Sequence, residues 1–139
     1  MAYGGQGNAE VDESLYSQTP LMVLRLNTLD VLGQYFNSEK LLTSNSGHLR
    51  DWRGLASAAQ LNFEDTHRLK SHANPTREII SIWCQQISEK SNRKVSVKEL
   101  FDLLINKLDR RDVVDSEKVK GKVFFVDLIY IYMVPLHTF

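Results

Sequence analysis

Charge of one sign is missing from this chain: Lys and Arg number 17, and so do Asp and Glu. Bulk attraction to nucleic acid or to an anionic membrane is therefore not expected. Cysteine is almost absent as well. Cys84 stands alone, which excludes an internal disulfide and fits a reducing, cytoplasmic setting. No C-x-x-C pair accompanies it, and His67 and His72 lie five apart, a spacing that straddles a helix end instead of lining one face. Neither pattern is that of a metal site, and no cofactor is expected. A Gly-rich phosphate loop is missing too, since the N-terminal GGQG precedes no strand. Residues 1–19 have no basic start and no apolar run, so they read as a disordered polar leader and not as a secretory signal. Strand-like alternation and repeats of solenoid period are lacking up to residue 122.

What is present is helical period. The length of 139 residues suits one domain, and 42% apolar with 24% charged residues is ordinary for a globular core. Leu21, Leu24, Leu29, Leu32, Tyr35 and Phe36 recur at three- to five-residue intervals, with Asn27 as a cap for the second half. Residues 38–47 read as a polar loop, interrupted by Leu41-Leu42, that carries an irregular turn. Asp51 then caps a helix in which Trp52, Leu55, Ala56 and Ala59 fall on one face. Gly54 weakens that helix by roughly 1 kcal/mol relative to Ala. Asn62 caps a short helix with an acidic first turn, reaching about Lys70. Asn74-Pro75 opens a fourth helix with the stripe Ile79, Ile80, Trp83 and Ile87, ended by a polar break at 88–94. Ser96-Val97-Lys98-Glu99 is a capping box for a fifth helix carrying Leu100, Phe101, Leu103, Leu104 and Leu108. A short sixth helix comes after Asp109 and uses Val113 and Val114. The period and the caps predict an all-α bundle, with Trp52, Leu55, Ile80, Trp83, Leu100 and Leu104 in its core.

The order of these signals resembles the death-domain branch of the death-fold family. Within it, the chain is similar to the death domains of the myeloid differentiation primary-response adaptors of Toll and interleukin receptor signalling. The residues that carry the likeness are Pro20-Leu21, Asp51-Trp52 with Leu55-Ala56, Asn74-Pro75-Thr76, Trp83, Ser96-Val97, Asp102-Leu103-Leu104 and Arg110-Arg111-Asp112-Val113. It spans roughly residues 20–114, and residues 20–118 are read as the death domain. The resemblance implies a six-helix antiparallel Greek-key bundle and a non-enzymatic signalling adaptor. Its implied partners are death-domain kinases of the interleukin-receptor-associated type and further copies of the chain, in a helical oligomer. The family's receptor-binding Toll/interleukin-receptor domain has no room here. The connection from Trp83 to Ser96 is longer than in vertebrate members, and Ser57, Ala58 and His67 stand where more charge is expected.

Contacts of this kind join unlike patches and so build open stacks. The candidate partner-binding residues are Arg53, Glu64, Asp65, Arg68 and Lys70 around the second and third helices, with Arg110, Arg111 and Asp112 as a second group. Single rim charges are worth under about 1 kcal/mol, so a patch must act together. The alternative from another class is a helix-turn-helix nucleic-acid binder, for which Lys90, Arg93, Lys94 and Lys98 supply the cations. Against it, the helix at 97–108 mixes Glu99 and Asp102 with Lys98 and Lys107.

From Lys122 the composition changes to KVFFVDLIYIYMVPLHTF. Asp127 interrupts this run and Pro135 ends it, short of the roughly 20 residues a bilayer span needs. Residues 119–139 are read as an atypical hydrophobic tail: extra packing, a partner segment, or the end of a truncated isoform, the last being preferred. Such an isoform acts either as an inhibitor or as a scaffold independent of a receptor.

Overall fold

The computed structural model describes residues 14–24 and 26–119. The expectations for most of the polar leader, residues 1–13, and for the hydrophobic tail from residue 120 onward lie outside the described residues. Among those described, the chain is all-α, with seven α-helices, two short 3₁₀ turns and no strand. The helices are α1 (Ser14–Gln18), α2 (Leu26–Phe36), α3 (Trp52–Ala58), α4 (Phe63–Arg68), α5 (Pro75–Ser91), α6 (Val97–Asn106) and α7 (Arg111–Val114).

Local grammar fixes most helix starts. Asp51 accepts from the Arg53 N–H, Asn62 from that of Asp65, and Asn74 from that of Arg77. At α6 both halves of the capping box form: the Ser96 hydroxyl accepts from the Glu99 N–H at 3.2 Å, and the Glu99 carboxylate accepts from the Ser96 N–H at 2.9 Å. Left-handed residues turn the chain after three helices, Gln60 (φ 62°) after α3, Asn92 (φ 51°) after α5 and Asp109 (φ 54°) after α6. Asn and Asp are side chains that tolerate this region.

The long helix α5 is the centre of the bundle. It packs on α2, on α3 and on the 3₁₀ turn Leu21–Val23. Its start is tied to the end of α2, where the Asn37 side chain donates to Asn74 Oδ1 at 3.0 Å and accepts from the Thr76 N–H at 3.1 Å. Ile79, Ile80, Trp83 and Cys84 are buried on α5, facing Leu32 and Phe36 of α2 and Trp52 and Leu55 of α3 in one core. Leu100, Phe101, Leu104 and Leu108 extend that core. Each such side chain removed from water contributes about 1.5–3 kcal/mol before entropy is counted.

Four expectations are corrected. The packed unit begins before Pro20, because α1 docks on α6 and the Tyr16 ring meets Phe101 edge-on at 5.1 Å. It also runs to Val119, which is fully buried. Asn27 is inside α2 and is not its cap; the first helical stretch is split, since Leu21–Val23 closes as a 3₁₀ turn that ends with Leu24 extended. The polar residues 88–91 continue α5, because a solvent-facing turn needs no apolar side chain. Gly54 weakens nothing that another residue would strengthen. A Cβ there would stand 1.5 Å from the Leu49 carbonyl oxygen, so its absence lets the preceding loop cross the helix.

Candidate interaction surface

The residues proposed for partner contact separate into two groups by what the fold does with them. Arg53, on α3, lies against the buried Asp51. Its guanidinium reaches the Asp51 carboxylate at 2.6 Å, the Lys40 carbonyl at 3.0 Å and Glu39 at 3.7 Å. Burial opposes ionisation of Asp51. The Arg53 side chain and the N–H groups of Lys40 and Arg53 outweigh it and hold the carboxyl below its ordinary range. Arg53 therefore works as the partner of a buried carboxylate and not as a free surface cation.

Arg110 is also turned inward by the fold. Its side chain is only 7% exposed. The guanidinium forks onto Asp112 at 3.0 and 3.1 Å, donates to the Arg50 carbonyl at 2.8 Å, and stacks 5.0 Å from the centre of the Phe36 ring. The pairing with Arg110 pulls the Asp112 carboxyl below its usual range. Arg50 in turn donates to the Asp109 carbonyl at 2.7 Å, and Ser44 to the Lys107 carbonyl at 2.6 Å. This elbow latches the loop before α3 onto the end of α6. Of the second group, Arg111 and Asp112 stay exposed, and the Asp112 carboxylate is engaged by Arg110.

Helix α4 is the opposite case. It has no buried residue, and Phe63 at its start is 80% exposed, lying flat against the His67 ring at 5.9 Å. Around it stand exposed Glu64, Asp65 paired with Arg68, and exposed Lys70. Leu69 alone anchors the next turn in the core. The structure thus brings Glu64, Asp65, Arg68 and Lys70 together beside an apolar ring. Sequence reasoning named the charges and passed over Phe63, although an aromatic directly after a cap with no apolar partner at i+3 or i+4 was the available signal. Leu41 and Leu42, read only as an interruption of the polar loop, are 94% and 70% exposed just before the Thr43–Leu49 bridge.

The remaining chemistry is modest. Cys84 sits at the floor of a largely apolar groove of about 380 Å³ between Pro20, Met22, Val95 and the outer face of α5. Burial, aided by the charge of Glu99, pushes its thiol up to about 11, so the nucleophilic thiolate is suppressed at neutral pH. Of the basic cluster, Arg93 is held by Glu99 at 2.9 Å and Lys98 by Asp102 at 2.7 Å. Among the described residues, no group of three His, Cys, Asp or Glu side chains is placed to hold a metal ion. Among them also, no helix is long and apolar enough to cross a membrane. No family model, curated protein or solved structure matches the chain.

Proposed function

We propose that this bundle is a non-enzymatic adaptor module of the death-domain type, a six-helix antiparallel Greek key working in the cytoplasm. In this reading it joins unlike patches on successive subunits and recruits death-domain kinases of the interleukin-receptor-associated type in Toll and innate immune signalling. One observation carries the association: α4 buries none of its residues and presents Phe63, 80% exposed, among four charges of both signs. An apolar anchor with a charged rim is the anatomy of a protein contact. The mixed signs orient the partner and steer its approach. Holding kinases side by side raises their effective concentration, so that one phosphorylates the next. The family assignment rests on the ordered residues that carry the resemblance, of which Trp52, Trp83, Val97 and Leu104 are core residues and Asp51, Asn74 and Ser96 are caps.

The helix-turn-helix alternative is weakened by α6, where Asp102 and Glu99 already neutralise Lys98 and Arg93. Light scattering on the full chain, alone and with a kinase death domain, tests the proposal. Mass is expected to grow with concentration and to fall back to the monomer in Phe63→Ala with Arg68→Glu. A chain that stays monomeric and ignores the kinase domain rules the adaptor reading out. Salt-steep binding to random duplex DNA would replace it with the alternative.

A further inference from the structure

Three serines or threonines in the chain stand three residues after an arginine: Thr28 after Arg25, Ser71 after Arg68, and Ser96 after Arg93. Ser71 and Ser96 have an additional lysine within two positions, Lys70 and Lys94. Arginine at that distance, reinforced by lysine, is what a basophilic protein kinase reads, through acidic side chains in its peptide groove. Sequence gives no reason to choose between Ser71 and Ser96.

The fold does. Thr28 is fully buried. Ser96 is tied down on every side. Its hydroxyl caps α6, its N–H is bonded to Glu99, it bridges to Pro20, and its neighbours Val95 and Val97 are buried. Arg93, which a kinase would need, is clamped to both oxygens of Glu99 at 3.0 and 2.9 Å. Ser71 is exposed at the end of the 3₁₀ turn Leu69–Ser71, between exposed Lys70 and exposed His72. Its hydroxyl makes only a 3.5 Å contact with the Arg68 carbonyl, at the limit of a hydrogen bond. Arg68 is 72% exposed on its side chain, so its pair with Asp65 is easily exchanged. A three-residue 3₁₀ turn is held by hydrogen bonds of poorer geometry than those of an α-helix, and His72 after it is already extended.

We propose that Ser71 is a phosphorylation site for a basophilic serine/threonine kinase using ATP. The Ser71 Oγ attacks the γ-phosphorus of ATP and an Oγ–P bond forms. The bond from that phosphorus to the β,γ-bridging oxygen breaks, ADP leaves, and the serine proton passes to the kinase's catalytic carboxylate. The product adds about −1.5 to −2 charges at neutral pH. Glu64 and Asp65 balance Arg68 and Lys70 on the α4 face, so the modification turns a mixed face into an acidic one. Resting on the adaptor reading, this makes Ser71 the control point of that same surface: phosphorylation lowers association through α4.

The test uses the full chain, ATP and the active catalytic domain of a calmodulin-dependent kinase, which reads arginine at this distance. Intact-mass and fragment spectra are expected to show one phosphoryl group on Ser71, lost in Ser71→Ala and kept in Ser96→Ala. No incorporation, or incorporation that survives Ser71→Ala, overturns the site. Circular dichroism of Ser71→Ala checks that the variant is folded. Light scattering before and after modification separates the two readings. A chain that is modified at Ser71 but never assembles keeps the site and sinks the adaptor proposal. A chain that assembles but is left unmodified does the reverse. One that is modified and assembles undiminished overturns the control role.

Discussion

Asp51-Trp52-Arg53 and Asn62-Phe63-Glu64 share one local design: an Asx cap, an aromatic at the first helical position, then a charge. Trp52 is 3% exposed and Phe63 is 80% exposed. The two stretches form helix starts for the same reason, a side-chain oxygen that accepts an orphan N–H. They diverge downstream of the ring. After Trp52 come Leu55, Ala56 and Ala59, which turn one face of α3 into core. After Phe63 come Glu64, Asp65, Thr66 and His67, none of them buried. A cap decides where a helix begins; only the next turn and a half decides which way its first ring points. The charges obey the same division. Arg53 and Asp51 hold each other at the edge of the core, while Glu64, Arg68 and Lys70 remain at the surface.

The largest expected effect comes from emptying the inner member of the pair. Trp52→Ala is expected to cost about 3–5 kcal/mol and to lower the urea midpoint sharply or unfold the chain. A midpoint within error of the parent would place the ring outside the core. Next, Gly54→Ala is expected to cost about 2–3 kcal/mol through overpacking against the Leu49 carbonyl. Equal or greater stability there would show that the loop yields without penalty.

Asp51→Asn is expected to cost about 2 kcal/mol at neutral pH by weakening charged hydrogen bonds, and it also predicts a change of pH dependence. In the folded chain the Asp51 carboxyl lies below its ordinary 3.8. As pH falls, the unfolded chain therefore binds this proton first. The stabilisation is complete above about pH 4 and is lost as pH falls towards the folded-state value. Denaturation curves between about pH 6 and about pH 3 are expected to be flatter for Asp51→Asn than for the parent. Identical slopes would mean that folding leaves the Asp51 carboxyl at its ordinary range. The smallest effect falls on the outer member: Phe63→Ala is expected to change stability by no more than about 0.5 kcal/mol. A large loss would show that the ring is covered by the chain itself.

Helices were legible wherever a cap stood beside a periodic stripe. The starts at Asp51, Asn62, Asn74 and Ser96 arise from side chains within three residues of the N–H they bind. Asn27 misled because an Asn inside a helix differs from a cap only by its backbone angles. The six named core residues are all buried, since periodicity reports burial directly. Arg110 was illegible for a different reason: its partner is the carbonyl of Arg50, sixty positions away, and its ring is Phe36. An arginine next to Arg111 and Asp112 looks like surface until the fold supplies a distant acceptor. The candidate surface was read in part, through its charges. Phe63 and the Leu41–Leu42 pair were not read as contact residues because a search for apolar stripes discards apolar residues that belong to none.

The segment that carries Leu21 is joined to the chain around Val95 by two backbone bonds, Leu21 N–H to the Val95 carbonyl at 2.7 Å and Val97 N–H to the Thr19 carbonyl at 2.9 Å. This seam has a temporal meaning on the ribosome. Thr19 and Leu21 emerge early, but the residues that receive them are synthesised about 75 positions later, a wait of roughly 4–15 s at ordinary translation speeds. Throughout that interval the first turns of the nascent chain have no seat. This seam therefore closes only once the start of α6 has been made.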